Sequence, residues 1–388
     1  MSDSNQNLLR GFEQGPIRPP SEAFSLLLRV TRNCPWNRCQ FCPVYKEEKF
    51  SRRAPEEVIA DIDAMRAWYD ELKARSWKLG FGGEFSQEVL QRIYQDDPAN
   101  PALYSIILFQ LGGAKTVFLQ DADSLIIKTD DLVKVLRHLR EKFPQVERVT
   151  SYARTRTVAK KSLEELKQIR EAGLDRLHIG MESGSDQVLD LMKKGATQAE
   201  EIEAGKKAKE AGFELSEYVM PGLGGRKFSH DHALQTAKAL NQINPDFIRL
   251  RTLAIPPRAP LYELWESGQF EMLDDISMVR ETRLLIENLE GITSYLISDH
   301  ILNLLPELEG KFPEDKPRLL AICDKFLSLS PRDQLRFIIG RRTGNFEELR
   351  DMENPNLCAR VEGIIDRLKL QTPDQAQELV RQIMEQFI

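Results

Sequence analysis

Three of the five cysteines in this sequence of 388 residues lie within nine residues of one another, near its start. They are Cys34, Cys39 and Cys42. The apolar run Phe24–Val30 precedes them, which predicts a buried strand that ends where the cysteines begin. Because loops at the ends of buried strands often carry function, three thiols so close together indicate a metal or redox site.

Three kinds of thiol chemistry are open to this triplet. A disulfide would leave one cysteine over, and nothing else in the sequence indicates an oxidising compartment. A structural zinc site normally takes four ligands, and the sequence offers no second pair of cysteines or histidines beside the triplet. A four-iron cluster held by three thiolates keeps one iron open for a substrate or cofactor. The cluster is the favoured interpretation, with a structural metal loop or three buried thiols as the alternatives.

The cysteine segment resembles the motif of the radical S-adenosylmethionine (radical SAM) superfamily. In that motif three cysteines follow the first barrel strand and an aromatic residue, here Phe41, precedes the last of them. The usual spacing is C-x3-C-x2-C, whereas this chain has C-x4-C-x2-C, which resembles a longer version found in some branches.

The resemblance implies cofactors and a reaction. It implies a 4Fe-4S cluster on Cys34, Cys39 and Cys42, whose open iron binds the amino and carboxylate groups of S-adenosylmethionine. An electron from the cluster would cleave the cofactor to a 5′-deoxyadenosyl radical, which abstracts hydrogen from the substrate. The implied partner is a low-potential electron donor of the flavodoxin or ferredoxin type.

Strand and helix patterns alternate along the rest of the first two-thirds of the chain. Pro55 opens the first helix, residues 76–101 are expected to be an irregular insertion, and Asp130 is expected to cap a later helix. Two capping boxes mark further helix starts, Ser162 with Glu165 and Thr197 with Glu200. Five more strands are predicted at Lys115–Gln120, Val146–Tyr152, Arg176–Met181, Phe213–Met220 and Phe247–Leu253.

This alternation predicts an α/β fold with a parallel sheet and right-handed crossovers. Six strands match the partial (β/α)6 TIM-type barrel of the superfamily that the chain resembles. Strands are expected to stop at about Pro260. The predicted division is therefore a tail at 1–20, a core barrel at 21–260 and an α-helical C-terminal extension at 261–388.

The reactive face of such a barrel lies at the C-terminal ends of its strands, so the residues that follow each strand are candidates. After the second strand, the superfamily typically has Gly-Gly-Glu, which holds the amino group of the cofactor. Asp121 and Asp123 stand in that place here, and a turn with side-chain caps is the alternative. A literal Gly82-Gly83-Glu84 lies in the insertion and is interpreted as coincidental.

The stretch Gly180–Gly184 after the fourth strand resembles one found in the methylthiotransferase and oxygen-independent coproporphyrinogen oxidase branches of the superfamily. The resemblance implies that Glu182 and Ser183 contact the ribose or the methionine part of the cofactor. The alternative is that Ser183 or Ser185 caps the following helix.

Three more residues complete the set of candidate cofactor-binding positions, namely Arg154, Gly222 and Arg251. Arg249 and Arg251 share one face of the sixth strand, where they could bind a carboxylate or phosphate of the cofactor or of the substrate. Pairing of these arginines with Glu214 or Glu217 is the alternative.

The composition is that of an ordinary globular protein, with 41% hydrophobic residues and a net charge of −6. No basic block interleaved with aromatics is present, so nucleic acid is not favoured as a partner, although a local groove could still hold RNA. No apolar run is long enough for a bilayer, and the cysteine usage fits a reducing cytoplasm. The chain is expected to be a radical SAM enzyme of unassigned substrate. A non-catalytic iron-sulfur or S-adenosylmethionine-binding sensor, or a zinc-stabilised scaffold, is the alternative.

Overall fold

The structure, a computed structural model, describes residues 9–385. The predicted tail 1–20 therefore lies partly outside the described residues. Within them the strands, numbered in chain order, are β1 Leu26–Arg29, β2 Thr31–Arg32, β3 Ser51–Arg52, β4 Thr116–Gln120, β5 Arg148–Ala153, β6 Arg176–Glu182, β7 Glu214–Val219, β8 Phe247–Leu250, β9 Tyr295–Ile297 and β10 Gly310–Lys311.

The helices are numbered in the same way. They are α1 Pro55–Lys78, α2 Gln87–Asp96, α3 Pro101–Leu111, α4 Thr129–Lys142, α5 Thr155–Lys160, α6 Leu163–Glu171, α7 Asp186–Leu191, α8 Gln198–Glu210, α9 Gly225–Ile243, α10 Leu261–Glu266, α11 Asp275–Glu287, α12 Lys316–Leu327, α13 Pro331–Arg342, α14 Pro355–Leu368 and α15 Pro373–Glu385. No helix in this part of the chain is long and apolar enough to cross a bilayer.

The fold is α/β with a mostly parallel sheet of eight strands, as predicted, and the described strands do not close into a barrel. The chain divides into two compact units. The first takes in the chain up to Pro35, Glu47–His178 and Lys207–Glu214, and the second takes in Trp36–Lys46, Ile179–Lys206 and the chain from Leu215 on. The predicted boundary at residue 260 is not one of these divisions and stays a prediction.

In the first unit, β1 pairs with β4 and β4 with β5, all in parallel. Helix α1 packs against α3 and α4. An aromatic cluster stabilises this layer, because Tyr69 and Phe109 both meet Phe143 edge to face at centroid distances of 6.2 and 6.0 Å. The two-stranded ribbon of β2 and β3 brackets the start of the cysteine segment.

In the second unit, β7, β8 and β9 run in parallel and β10 pairs antiparallel with β9. Helix α9 packs against α11, and α13 packs against α14 and α15. The residues that follow the strands and the short helices between them form one apolar cluster, whose buried members are Val188, Met192, Met220, Leu223, Leu253, Ile255, Leu261 and Phe270. Polar groups next to this cluster are therefore attached to well-packed backbone.

Three local expectations were wrong. About half of the insertion at 76–101 is helical, because α1 continues to Lys78 and Ser86 caps α2 by accepting from the Val89 amide at 3.3 Å. Strands do not stop at Pro260, since β9 and β10 follow it. Asp130 is not the N-cap of α4, because the helix already begins at Thr129. Its carboxylate lies in the first helical turn instead, where it still favours the helix dipole.

Candidate functional site

The cysteine loop of the second unit, residues 36–46, is fixed by hydrogen bonds to a turn that follows α7. This docking turn is Met192–Gly195. The indole of Trp36 donates to the Lys193 carbonyl at 2.7 Å, and the Gln40 amide donates to the Met192 carbonyl at 2.9 Å. Gly195 has φ +73°, and a Cβ there would lie 2.4 Å from the Trp36 ring. Glycine is therefore required for this contact, both for the backbone conformation and for space.

A lysine of the cysteine loop itself holds the backbone of the loop in place. The ammonium group of Lys46 donates to the carbonyl oxygens of Asn37 at 3.2 Å and Cys39 at 2.7 Å. These bonds hold a positive charge beside the backbone of the cysteine loop. The cysteine side chains of this loop would be anionic thiolates when they bind iron. Cys39 and Cys42 are both partly exposed.

Glu182, at the C-terminal end of β6, is held close to the cysteine loop by Lys194. The Lys194 ammonium lies 3.4 Å from Glu182 Oε1 and 5.9 Å from the centroid of the Phe41 ring. The backbone of Glu182 is left-handed, with φ +64°, which costs about 1–2 kcal/mol for a residue with a side chain. A Cβ on Gly180 would lie 2.4 Å from Glu182 Oε1, so this glycine makes room for the carboxylate. Backbone strain of this kind is typical of functional sites.

The residues after Glu182 are bound to helix α9. Ser183 is fully buried; its hydroxyl accepts from the Ser185 amide at 3.0 Å and lies 2.8 Å from Nδ1 of His232. Nε2 of His232 lies 3.1 Å from the Met220 carbonyl, so the ring carries its proton on Nε2 and Ser183 donates to Nδ1. Ser183, predicted to bind the cofactor, thus links the ends of β6 and β7. Ser185 caps α7, as the alternative proposed.

Gly222 follows β7, and its amide donates to Oε1 of Glu281 at 2.6 Å. Its φ is +89°, and a Cβ would lie 2.7 Å from the sulfur of Met278. The loop after β7 is therefore packed against α11, and Gly222 allows the close approach.

In the first unit, Asp121 follows β4 and is fully buried. Oδ2 accepts from Nε and Nη2 of Arg29 at 2.8 and 2.6 Å and from the Asn33 amide at 3.0 Å. Oδ1 has no hydrogen-bond partner among the described residues. That oxygen would lie 2.0 Å from a Cβ on Gly15, so only glycine fits at the position that covers it. Asp121 holds the cysteine segment through Asn33, and its contact with the cofactor stays a prediction.

Asp123 binds the N-terminus of a later helix of the same unit, α5. Its carboxylate accepts from the Arg154 amide at 3.3 Å and from the Thr157 hydroxyl at 2.5 Å, at the N-terminus of α5. Burial raises the pKa of Asp123 to about 6, against the hydrogen bond from Thr157. These contacts are those of a side-chain cap, and they place Asp123 and Arg154 at one turn.

The described part of the chain contains no group of three or more His, Cys, Asp or Glu side chains arranged to hold a metal ion. Cys34, Cys39 and Cys42 therefore stay a predicted ligand set. Three thiols and no fourth ligand nearby in the sequence still fit a cluster with one open iron better than closed zinc coordination.

A comparison with protein-family models identifies one domain of the chain. Residues 90–237 match the model of the radical SAM superfamily. The chain carries a radical SAM domain. The match begins in α2 and ends in α9. It includes the candidates Asp121, Asp123, Arg154, Glu182, Ser183 and Gly222, and it leaves out the three cysteines and Arg251. Proteins of the radical SAM superfamily use a 4Fe-4S cluster and S-adenosylmethionine.

Curated relatives match parts of the chain. The heme chaperone HemW of Bacillus subtilis is 24% identical over 189 residues, which are 48% of this chain and 49% of that protein. A tRNA uridine(34) acetyltransferase of Methanocaldococcus infernus is 27% identical over 111 residues, 28% of this chain and 21% of that protein. The chain thus spans between about a fifth and about a half of the length of these relatives. The solved coproporphyrinogen III oxidase of Escherichia coli is 13% identical, with a TM-score of 0.42, over 74% of this chain and 56% of that one.

Neither the two lysines, Lys46 and Lys194, nor the docking turn was predicted from the sequence. Lys194 carries no motif of its own, but the Thr197 capping box already predicted a helix start just after it. A glycine directly before such a start, as at Gly195, was an available signal for a tight turn. What touches that turn is set by contacts more than 150 residues apart in sequence, which periodicity does not report.

The contacts of the arginines at β8, the sixth predicted strand, also differ from those expected. Arg249 lies 3.4 Å from Asp299, a residue that follows the unpredicted strand β9. Glu214 pairs with Arg176 at 2.8 Å within the first unit, and neither oxygen of Glu217 has a hydrogen-bond partner among the described residues. The alternative pairing with Glu214 or Glu217 is therefore wrong. It failed because Glu217 shares a face of the sheet with Ile248, opposite to Arg249.

Glu217 gives a prediction for stability. Burial, then the nearby Glu201, raise its pKa well above the ordinary value of a carboxyl. The folded chain therefore keeps a proton that the unfolded chain has lost above pH 4.5, so this group makes stability fall as pH rises. Glu217→Gln is expected to raise the free energy of unfolding at pH 7 by about 1–3 kcal/mol, because a neutral amide does not need the proton that the carboxyl must take up on folding, and to gain little at pH 4.5.

Urea unfolding between pH 4.5 and 8 measures this difference. The exposed Glu266→Gln is the matched control and should leave stability unchanged at each pH. A gain for Glu217→Gln that is the same at both ends of the pH range would show that the carboxyl does not titrate as its burial demands.

Proposed function

We propose that this chain is a radical SAM enzyme with Cys34, Cys39 and Cys42 as the three cluster ligands. When bound, the 4Fe-4S cluster would supply the electron that cleaves S-adenosylmethionine to a 5′-deoxyadenosyl radical, which abstracts hydrogen from the substrate. One observation carries the proposal. Lys194 contacts both Phe41 of the cysteine loop and Glu182 at the end of β6. The loop and the Glu182 carboxylate are therefore fixed together within one unit.

The residues of the chain have distinct roles in this proposal. Lys46 and the docking turn orient the backbone of the cysteine loop, which carries Cys39 and Cys42. Glu182 accepts hydrogen bonds from the cofactor, with Lys194 keeping the carboxylate oriented. Ser183 acts indirectly, because its hydroxyl is hydrogen-bonded to His232. Gly222, Asp121, Asp123, Arg154 and Arg251 complete the proposed cofactor-binding set.

The proposal includes partners and a compartment. A low-potential donor of the flavodoxin or ferredoxin type would reduce the cluster, and the reducing cytoplasm is the compartment in which such a cluster persists. The core barrel is proposed at 21–260 and a helical extension at 261–388. The match to a tRNA uridine(34) acetyltransferase keeps an RNA base among the candidate substrates, even though the composition did not favour nucleic acid.

A second candidate function is a cofactor-binding protein without turnover. The match to the heme chaperone HemW, which spans almost half of each chain, favours it. Such a protein would keep the cysteine loop and the strand-end carboxylate, yet use them to bind a cluster or tetrapyrrole rather than to generate a radical.

One anaerobic experiment separates these functions. The protein is reconstituted with iron and sulfide, reduced, mixed with S-adenosylmethionine, and assayed for 5′-deoxyadenosine and for haem binding. An enzyme is expected to contain four irons per chain and to form 5′-deoxyadenosine. A cluster with stoichiometric haem binding and no 5′-deoxyadenosine would favour the second candidate, and one zinc per chain with no cluster would overturn both.

A further inference from the structure

Three arginine side chains of the first unit surround one carboxylate, that of Glu13. Arg29 ends β1, Arg32 ends β2, and Arg53 follows β3. Nε of Arg32 donates to both oxygens of Glu13, at 2.8 and 3.0 Å, and its Nη2 donates to Oε2 at 2.6 Å. Nη1 of Arg29 donates to Oε1 of Glu13 at 3.0 Å. The three guanidiniums, called the arginine cluster below, are thus placed by strands and meet at a single two-oxygen acceptor.

One donor of the arginine cluster is left unused by Glu13. Nε of Arg53 lies 3.5 Å from Oε2 of Glu13 and is buried, and it has no hydrogen-bond partner within residues 9–385. A buried donor without a partner costs about 1–3 kcal/mol. Both oxygens of Glu13 already accept two bonds each, from Arg29 and Arg32. A group with a third oxygen in the same place could accept from Arg53 as well.

The charge of the arginine cluster is compensated only in part by acids other than Glu13. Two of the arginines also bind a buried acid, and these pairs are Arg29 with Asp121 at 2.6 Å and Arg53 with Asp61 at 2.7 Å. Glu57 comes no closer than 3.8 Å to Arg32, and its side chain is half exposed. Arg32 therefore depends on Glu13 for its charge compensation. Without Glu13 the arginine cluster would offer a positive charge to an anion.

Glu13 belongs to an irregular strap, residues 10–17, which contains no helix or strand. Side-chain bonds hold the strap in place, such as the one from Gln14 to the Ser105 hydroxyl at 2.7 Å. The hydrogen bond from Arg32 lowers the pKa of Glu13 against the effect of burial, so the carboxylate is charged at pH 7. The side chains of Glu13 and Arg32 are 28% and 33% exposed, so solvent reaches their contact. An anion from solution can therefore compete with Glu13 for the arginine cluster.

We propose that the arginine cluster is a binding site for a terminal phosphate group, and that Glu13 occupies it as an internal ligand. The guanidinium of Arg32 binds the phosphate through two parallel charge-assisted hydrogen bonds, and Arg29 adds a third. A further phosphate oxygen accepts from Nε of Arg53. A carboxylate or a phosphodiester has only two free oxygens, like Glu13, so the ligand class is a phosphomonoester or free phosphate. The inference goes beyond the proposed function and needs neither the cluster nor S-adenosylmethionine.

The test is a calorimetric titration of the full chain, anaerobically reconstituted, at constant ionic strength. The probes are inorganic phosphate and dimethyl phosphate, which has only two free oxygens. Glu13→Ala is expected to bind inorganic phosphate about 10- to 100-fold more tightly than the parent, because the internal carboxylate no longer competes. Adding Arg32→Gln to this variant is expected to reverse the gain, through loss of the charge-assisted bonds. Dimethyl phosphate is expected to bind Glu13→Ala about 10-fold more weakly than inorganic phosphate.

Matched controls come from exposed residues of the same types in the first unit. Glu164→Ala in α6 and Arg137→Gln in α4 should leave phosphate affinity within about twofold of the parent, because exposed charges away from a site are screened. Glu13→Gln keeps the size of the side chain and removes its charge. It is expected to tighten phosphate binding like Glu13→Ala, so a folding defect in the alanine variant does not decide the result.

The remaining outcomes contradict the phosphate site. Phosphate affinity that is unchanged in both Glu13 variants, or a gain that survives Arg32→Gln, would refute it, as would an equal gain in Glu164→Ala. Dimethyl phosphate that binds as tightly as inorganic phosphate would refute the terminal phosphate as the ligand class. The titration needs no turnover, so a protein that binds phosphate as expected but forms no 5′-deoxyadenosine would refute the proposed function and leave this site standing.

Discussion

Replacing Cys34, Cys39 and Cys42 together with Ala is expected to remove the 4Fe-4S cluster and to lower 5′-deoxyadenosine formation to the level of a reaction without protein. The reason is that no cysteine or histidine adjoins the triplet in sequence to replace a lost thiolate. Iron and sulfide content, the electron paramagnetic resonance of the reduced protein and the yield of 5′-deoxyadenosine measure the effect.

Cys358→Ala is the matched control for this prediction. Cys358 is partly exposed, like the three loop cysteines, and its thiol donates to the Met352 carbonyl at 3.1 Å in the helical C-terminal part of the chain. This variant should keep its iron and its activity. A triple variant that retains a four-iron cluster, or a Cys358 variant that loses one, would refute the assignment of ligands.

Gly184→Ala is expected to destabilise the protein by about 1–3 kcal/mol, the usual cost of an extra carbon in a tightly packed position. A Cβ on Gly184 would lie 2.5 Å from the Gln235 carbonyl oxygen and 2.7 Å from the Cα of Thr236. Both atoms belong to the backbone of α9, which cannot move aside as a side chain does. The substitution would also weaken the bond from the Gly184 amide to the Thr236 hydroxyl, now 2.8 Å, and with it the position of Glu182.

The same substitution at a helical position with open space gives the control. Gly363 lies exposed in α14, and a Cβ added there would have no neighbouring atom within 4 Å. Gly363→Ala should therefore raise stability by about 0.5–1 kcal/mol through better helix propensity. Equal urea midpoints for the Gly184 variant and the parent would mean that the loop does not pack on α9 as described.

Most of the regular fold could be predicted from local patterns. All six predicted strands are present, and both capping boxes form, with the Ser162 amide donating to Glu165 at 2.9 Å and the Thr197 amide to Glu200 at 3.0 Å. A radical SAM domain at residues 90–237 is likewise confirmed, and with it the cofactors that proteins of this superfamily use. Strand alternation and helix caps are local in sequence, which is why these features were accessible.

Short elements that depend on a neighbour were not accessible. β9 has three residues, too few for a period-two pattern, and is a strand because β8 offers it an edge. Its absence from the prediction also hid the partner of Arg249. Helix α2 was missed because residues 76–101 are polar and contain turn-forming residues, although Ser86 was available as a cap.

The candidate site shows the same division. Its positions at strand ends were predicted, but the partners of its side chains were not. Asp121 was expected to meet the cofactor, and its contact with Arg29 joins residues 92 positions apart. Ser183 was expected to do the same, and it bonds to His232, 49 positions away. Such pairs are set by packing, which one sequence does not reveal.

The docking of the cysteine loop affects when the protein can acquire iron. The Gln40 amide bonds to Met192 and the Gln40 carbonyl to the Leu261 amide at 2.8 Å. A ribosome must therefore add more than two hundred residues after Cys42 before the loop has all of its backbone partners. A nascent chain that exposes only its cysteines has no ordered loop to offer. The loop would therefore be ordered for the proposed cluster only after synthesis has passed α10.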